Sequence, residues 1–204
     1  MSTHTTPQRR TPTETIGASL VARFRRTMAG RHSGPALSAG LGALAALGHA
    51  PVSFPPATLA ALAVAIAALS APVGWRRAAG LGLALGTGYF AVSWFWIVEP
   101  FLVDPWRHGW MAPFALLFLS AGMALYWAGA AAVAQAAGRT APARALWLVV
   151  ALTAGEMLRS VLFTGFPWAL VGHVWIGWPQ MQLAALGGAD SLTLLTLGAA
   201  ALPA

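Results

Sequence analysis

The chain has no cysteine and no lysine, and only 8% of its residues are charged. The lack of cysteine excludes disulfides, thiolate metal sites and a cysteine nucleophile within these residues. The scarcity of charge excludes a soluble domain, which carries about 25% charged residues. A chain that is 58% hydrophobic, with a mean hydropathy of +0.68, has too little polar surface to face water and reads as an integral membrane protein. Acids are few as well, five against twelve arginines, for a formal net charge of +7. That excess does not point to nucleic acid. Half of the twelve arginines precede residue 32 and the others are scattered near the ends of apolar segments, so no phosphate-binding stripe forms. The five histidines include no pair at i, i+3 or i+4, and no metal site is expected. No phosphate-binding glycine signature stands out. Gly80-Leu81-Gly82 lies inside a hydrophobic stretch and reads as helix packing, and no cofactor is expected.

What is present is a succession of apolar segments behind a polar start. Residues 1–33 are rich in Thr, Pro and Arg and read as a mostly disordered basic tail. The tail is too long, and followed by too many apolar segments, for a cleaved signal peptide. Residues 34–204 read as a transmembrane helical domain. Segments 35–52 and 57–75 are short, and His49, Pro51, Pro55 and Pro56 between them make a turn, giving a helical hairpin. His49 reads as a polar turn residue, not a ligand. Residues 78–98 suffice to cross a bilayer, with Gly80, Gly82, Gly86 and Gly88 allowing close helix contact and Trp94 and Trp96 marking the far end as an aromatic belt. The loop 99–109 carries Glu99, Asp104, Arg107 and His108, a solvated connection or a headgroup contact. Residues 110–137 and 145–162 are further spans, and another apolar segment begins near Asp190. The fold class is therefore all-α, a polytopic helical bundle of about five complete spans plus the start of a sixth.

The arginines orient it. With the tail inside, every arginine except Arg107 and Arg159 falls inside, as the positive-inside rule requires. The turn near His49, the loop 99–109 and residues 163–188 fall outside. Residues 163–188 carry no charge but hold Trp168, His173, Trp175 and Trp178 between helix breakers, and read as an interfacial, partly re-entrant segment. His173 alone is a buried donor, a headgroup contact or a bystander.

The stretch from Glu156 to Trp168 is where charge and aromatics meet. Glu156 and Arg159, at i and i+3, share one helix face near membrane depth. A charge there costs roughly 2.5–3.5 kcal/mol on insertion scales unless paired or brought to an interface. The pair either closes a helix end or serves function. Gly165 and Pro167 stop the helix, and Phe166 and Trp168 offer rings at headgroup level. Glu156-Met-Leu-Arg159 followed by Thr164-Gly-Phe-Pro-Trp168 resembles the membrane arm of bacterial apolipoprotein N-acyltransferases. Gly88-Tyr-Phe-Ala-Val-Ser-Trp-Phe-Trp96 upstream, and Pro179 to Gln182, Gly187-Gly188 and Leu192-Thr193 downstream, agree in order.

The resemblance implies a bacterial inner-membrane protein with a cytoplasmic amino terminus and a periplasmic face at residues 163–188. It also implies a periplasmic nitrilase-like domain with a Glu-Lys-Cys triad. The cysteine of that triad takes an acyl chain from a phospholipid and passes it to the amino-terminal diacylglyceryl-cysteine of a lipoprotein. Lacking Cys and Lys, these residues hold no catalytic residue of that triad, and the chain is expected to be an amino-terminal portion, inactive alone. Its expected partners are a phospholipid acyl donor, a diacylated apolipoprotein and the membrane, with no nucleic acid. Expected positioning residues are Glu156 and Arg159 as an orienting pair, Gly165, Phe166, Pro167 and Trp168 as an interfacial platform, and Trp94, Trp96 and Glu99 on the opposite wall. The alternatives are a small secondary transporter, with Glu156 and Asp190 as proton carriers, and a structural membrane module.

Overall fold

The computed structural model describes Thr27, Gly30, residues 32–162 and residues 165–203. The tail expected over residues 1–33 falls almost wholly outside the described residues, as do Phe163 and Thr164. Among the described residues helix is the sole regular structure. The α-helices are α1 (Ser33–Ala45), α2 (Pro55–Leu69), α3 (Trp75–Ser93), the single turn α4 (Pro105–His108), α5 (Ala112–Ala137), α6 (Ala141–Val161) and α7 (Gly188–Ala201). Four tighter 3-10 stretches join them: Ala46–Gly48, Phe95–Leu102, Val171–Trp175 and Pro179–Leu186, beside the short Gly109–Met111.

Helix α3 is the centre of the bundle, flanked by α1 and α5; α6 packs on the far side of α5, and α7 closes against α6 and α2. Small residues set these distances. A Cβ on Gly42 of α1 would collide with the Leu85 carbonyl of α3, and one on Gly88 with the Ala39 carbonyl of α1. Gly82 and Gly86 meet Ala131 and Ala124 of α5, whereas Gly80 faces open space. The core is aromatic. Tyr89 stacks on Trp127 with ring centroids 4.9 Å apart, and Phe90 stacks on Trp94 at 4.5 Å. All four rings are buried.

Helix α6 shows the bundle turned inside out relative to a soluble one. Its buried face carries Leu148, Leu152, Thr153, Glu156 and Arg159, recurring at helical spacing, while Leu146, Val150, Leu158 and Val161 point outward. Leu117, Phe118 and Leu125 of α5 are likewise exposed. A surface of this kind suits lipid, in which apolar side chains need no cover and charged ones turn to the bundle interior.

Among the described residues, two to four spans meet a test of length and apolarity, beside the expected five and the start of a sixth. Two helices, Pro105–Ala137 and Ala141–Val161, are long and apolar enough to cross a membrane. Two bent pairs, Trp75–Ser93 with Phe95–Leu102 at 52° and Pro179–Leu186 with Gly188–Ala201 at 117°, raise the total to four if each pair is one span. Ser33–Gly48 and Pro55–Leu69 are apolar but shorter. The expected straight segment 78–98 breaks at Trp94, beyond which the chain tightens to 3-10 geometry around Pro100, a residue with no N–H for the helical ladder.

The elements sort to two ends. At one, Arg77 donates to the Gly30 carbonyl, Gln135 Nε2 donates to the carbonyls of Leu69 and Ala71 at 2.6 and 2.8 Å, and Arg144 Nη1 reaches the Ser70 carbonyl at 3.3 Å. At the other, the turn after α1, the end of α3 and residues 166–176 surround one cleft. The turns that carry Arg77 and Arg144 are thus separated from the Trp168 region in the fold.

Candidate functional site

The last turn of α6 ends at Val161, and after Leu162 the described chain resumes at Gly165. The reversal is tight. Phe166 N–H donates back to the Arg159 carbonyl and Gly165 N–H to the Leu162 carbonyl, each at 2.9 Å. Gly165 has φ +84°, and a Cβ there would strike the Ser160 carbonyl, so only glycine fits.

This reversal lays the chain across the Arg159 side chain. The guanidinium faces Glu156 with two bonds, Nε to Oε1 at 3.2 Å and Nη2 to Oε2 at 2.9 Å. Its Nη1 donates to the carbonyls of Phe166 at 2.7 Å and Trp168 at 2.9 Å, and Nη2 also to that of Ala169 at 3.1 Å. An arginine has five N–H donors, and every one has a partner. The Phe90 ring lies 5.1 Å beneath the guanidinium carbon. Glu156 is equally occupied: Trp127 Nε1–H donates to Oε1 at 3.0 Å and the Val171 N–H to Oε2 at 3.3 Å. Both side chains are buried, at 0% and 1% exposure. A buried ion pair offsets its desolvation only when the remaining lone pairs and protons are satisfied. Here they are. No N–H of Arg159 is left for a lipid phosphate. The pair instead joins α5, α6 and the segment 166–171 into one unit.

Beside it lies a cleft of about 260 Å³. Trp94, Trp96, Trp168, His49, His173 and Ser93 line it. The structure therefore brings together Trp94, Trp96 and Trp168 of the expected set. Trp96 and Trp168 form the rim, 5.8 Å apart and about half exposed. Trp94 does not sit on an aromatic belt as expected. It is 1% exposed, stacked on Phe90 and met edge-on by Phe166 at 4.9 Å, because the chain bends there and turns the indole into the core. Pro167 lies in the extended stretch under the Arg159 bonds. Glu99 lies apart, exposed on the 3-10 stretch Phe95–Leu102 and not on the cleft wall.

Three participants stood outside the expected positioning set. His49 is more than a turn residue: its Nε2 is 2.6 Å from the Tyr89 hydroxyl, which also reaches the Ala169 carbonyl at 3.3 Å. Tyr89 and Trp127 are single polar-tipped rings in apolar helices, which is the signal that marks them in retrospect. Burial holds the His49 imidazole down to about 4, with the charges of His173 and Arg159 acting in the same direction. Burial, followed by the Arg159 charge, also lowers His173, against opposing influences from Glu156 and Asp190. Both imidazoles are thus neutral at neutral pH. No group of three or more His, Cys, Asp or Glu among the described residues has the arrangement to hold a metal.

Residues 41–202 match the family model of the apolipoprotein N-acyltransferase N-terminal domain. The apolipoprotein N-acyltransferase of Caulobacter vibrioides is 42% identical over 181 residues, covering 84% of this chain and 33% of the relative. That of Rhodopseudomonas palustris is 35% identical over 170 residues, covering 80% of this chain and 32% of the relative. The enzyme of Sinorhizobium fredii is 35% identical over 128 residues, covering 62% and 24% respectively. The chain spans a third or less of the length of these relatives.

Proposed function

Since the chain belongs to the apolipoprotein N-acyltransferase family, through its N-terminal domain, we propose that it is the membrane arm of an enzyme that acylates lipoproteins. The reaction moves an acyl chain from a phospholipid to the amino terminus of a diacylglyceryl-cysteine. A thiolate attacks the phospholipid ester carbonyl, the lysophospholipid leaves with a proton, and a thioester remains. The lipoprotein amine then attacks that thioester, forming the amide and releasing the thiol. The chain holds neither Cys nor Lys, so the thiol and its lysine partner belong to another part of the enzyme, and these residues by themselves are inactive.

In this reading residues 34–204 sit in the bacterial inner membrane, with the basic tail in the cytoplasm and residues 163–188 at the periplasmic interface. The arm holds lipid and seats the catalytic domain over the Gly165–Trp168 platform. Glu156 and Arg159 orient that platform and do no chemistry. The observation that carries the reading is the guanidinium bonded to the carbonyls of Phe166, Trp168 and Ala169, which ties down the segment whose Trp168 ring is left open to a partner. Such rigid placement of a substrate platform is worth rate without contact to the reacting atoms.

The test is complementation. A bacterium depleted of its own N-acyltransferase receives the full reading frame that contains this chain, and lipoprotein amino termini are read by mass spectrometry. Appearance of the third acyl chain supports the reading. Protein inserted at normal level with lipoproteins left diacylated overturns it.

A further inference from the structure

The cleft at the Trp168 end is lined by two residues whose hydrogen-bonding groups the protein does not use. Trp94 and Ser93 both line it, both are buried, and among the described residues neither the Trp94 indole N–H nor the Ser93 hydroxyl has a hydrogen-bond partner. An unmet buried donor costs about 1–3 kcal/mol. Adjacent donors left unmet in a cavity mark a place where an acceptor from outside is expected.

The chemistry of that acceptor is narrow. Among the described residues the cleft offers no free cation: every Arg159 donor is spent on Glu156 and backbone carbonyls, and His49 and His173 are neutral. A phosphate or carboxylate would therefore enter without a counter-charge, at a desolvation cost that a neutral acceptor escapes. The volume of about 260 Å³ is at the small end for ligand sites and holds a polar group with a few carbons, not a whole lipid. The rim is formed by Trp96 and Trp168, the residue type that settles where hydrocarbon gives way to headgroups. The neutral acceptor abundant at that depth is the carboxylic ester that links an acyl chain to glycerol.

We infer that this cleft seats the ester carbonyl of a glycerolipid, which accepts hydrogen bonds from the Trp94 indole N–H and the Ser93 hydroxyl. The inference rests on the reading of this chain as a lipid-handling arm. It adds a site at which one acyl ester is held while its chain lies along the bundle. Both a phospholipid and the diacylglyceryl group of a lipoprotein carry that ester, and the cleft recognises what the two share.

The test uses the full-length protein that contains this chain, in nanodiscs of a diether phosphatidylcholine, which has no ester carbonyl, with nitrogen-15 in the indole rings. The Trp94 indole resonance is assigned by its loss in Trp94→Phe. Replacing a rising fraction of the ether lipid by the diester lipid of equal chain length is expected to move the Trp94 proton downfield and to saturate. The fully exposed Trp106 indole shifts only in proportion to composition. A diacylglyceryl-cysteine peptide added to ether discs tells the sources apart, since the preferred one saturates the shift at the lower fraction. Ser93→Ala keeps the indole probe and removes one donor, and it should require about fivefold more ester lipid for half-saturation. A Trp94 resonance that is the same in ether and ester discs overturns the inference and leaves water as the acceptor. So does a shift that Ser93→Ala leaves unchanged. Because this measurement reads binding and complementation reads acyl transfer, either proposal can fail without the other.

Discussion

Helix α6 carries one arginine in its first turn and another in its last, and the two live in different physical worlds. Arg144 lies in its first turn, partly exposed, with Nη1 3.3 Å from the Ser70 carbonyl, Nη2 3.4 Å from that of Arg139 and Nε without a partner. Arg159 lies in its last turn, 1% exposed, with all five N–H groups bonded to a carboxylate and three carbonyls. The helix dipole favours the second position and opposes the first. One cation can lean on water; the other has only protein to replace it. The difference teaches that a charge inside an apolar bundle is tolerable when its partners are complete, and that the completed set then becomes the fixed point of the local fold.

The sharpest way to break that contrast is to remove the guanidinium. Arg159→Met leaves Glu156 buried beside Trp127 with no cation and frees the carbonyls of Phe166, Trp168 and Ala169. A loss of about 3–5 kcal/mol is expected, as for any buried pair stripped of one partner. Thermal unfolding in detergent measures it. The double variant Glu156→Leu with Arg159→Met should recover a large part of that loss, because no buried charge remains. If the double variant is no more stable than Arg159→Met, the cost lies in the released carbonyls, not in the orphaned carboxylate.

The pairing of Glu156 with Arg159 was legible from their spacing alone, and so was the separation of Arg77 and Arg144 from the Trp168 segment. What the sequence could not disclose is the other half of the Arg159 shell. Backbone carbonyls carry no residue code, so their convergence on one guanidinium depends on a reversal whose geometry only the fold supplies. Trp94 was misread for a related reason. Tryptophan near the end of an apolar segment suits the interface, but a bend of 52° after Ser93 turned the ring inward against Phe90. The same bends leave the count of spans between two and four among the described residues, since hydropathy registers length and not direction. His49 and Tyr89 lie forty residues apart and meet only because α1 and α3 are held close by Gly42 and Gly88.

A second test compares the ends through protons. His49 has a folded-state pKa of about 4, below the ordinary 6.5 of the unfolded chain, because burial and the charges of His173 and Arg159 disfavour its cation. Between these values the unfolded chain binds more protons, so stability falls as pH drops from 6.5 towards 4 and levels off below. The loss is on the order of 3 kcal/mol, visible as a falling melting temperature. His49→Gln, which can still bond the Tyr89 hydroxyl, should flatten that slope. An equal slope in the variant would assign it to other groups.

At the arginine-rich end the corresponding tie is neutral. Gln135 Nε2 donates to the carbonyls of Leu69 and Ala71, and its Oε1 lies 3.4 Å from the Val73 N–H, so one amide clasps the exit from α2. Gln135→Ala unmakes the clasp, yet water can reach that turn. The expected cost is about 1–2 kcal/mol, smaller than at Arg159 although as many chain segments are held. Glu at this position would keep the shape but lose both donations, and should be no better than Ala.

The smallest effect is expected at Arg144 itself. Its bonds are long, its Nε is unmatched, and its charge lies at the unfavourable end of the helix dipole. Arg144→Ala therefore removes weak contacts and a mild repulsion together, for a net change below about 1 kcal/mol in unfolding. Its consequence should appear in insertion instead, where arginines flanking a span help to set its side. Arg144→Glu combined with Arg139→Glu would make the loop before α6 acidic, and a protease-protection assay on membranes should then find that loop partly on the far side. Arg159→Met should leave protection unchanged while lowering stability. If the two sets of variants shifted stability and sidedness alike, the division of labour between the ends of α6 would be wrong.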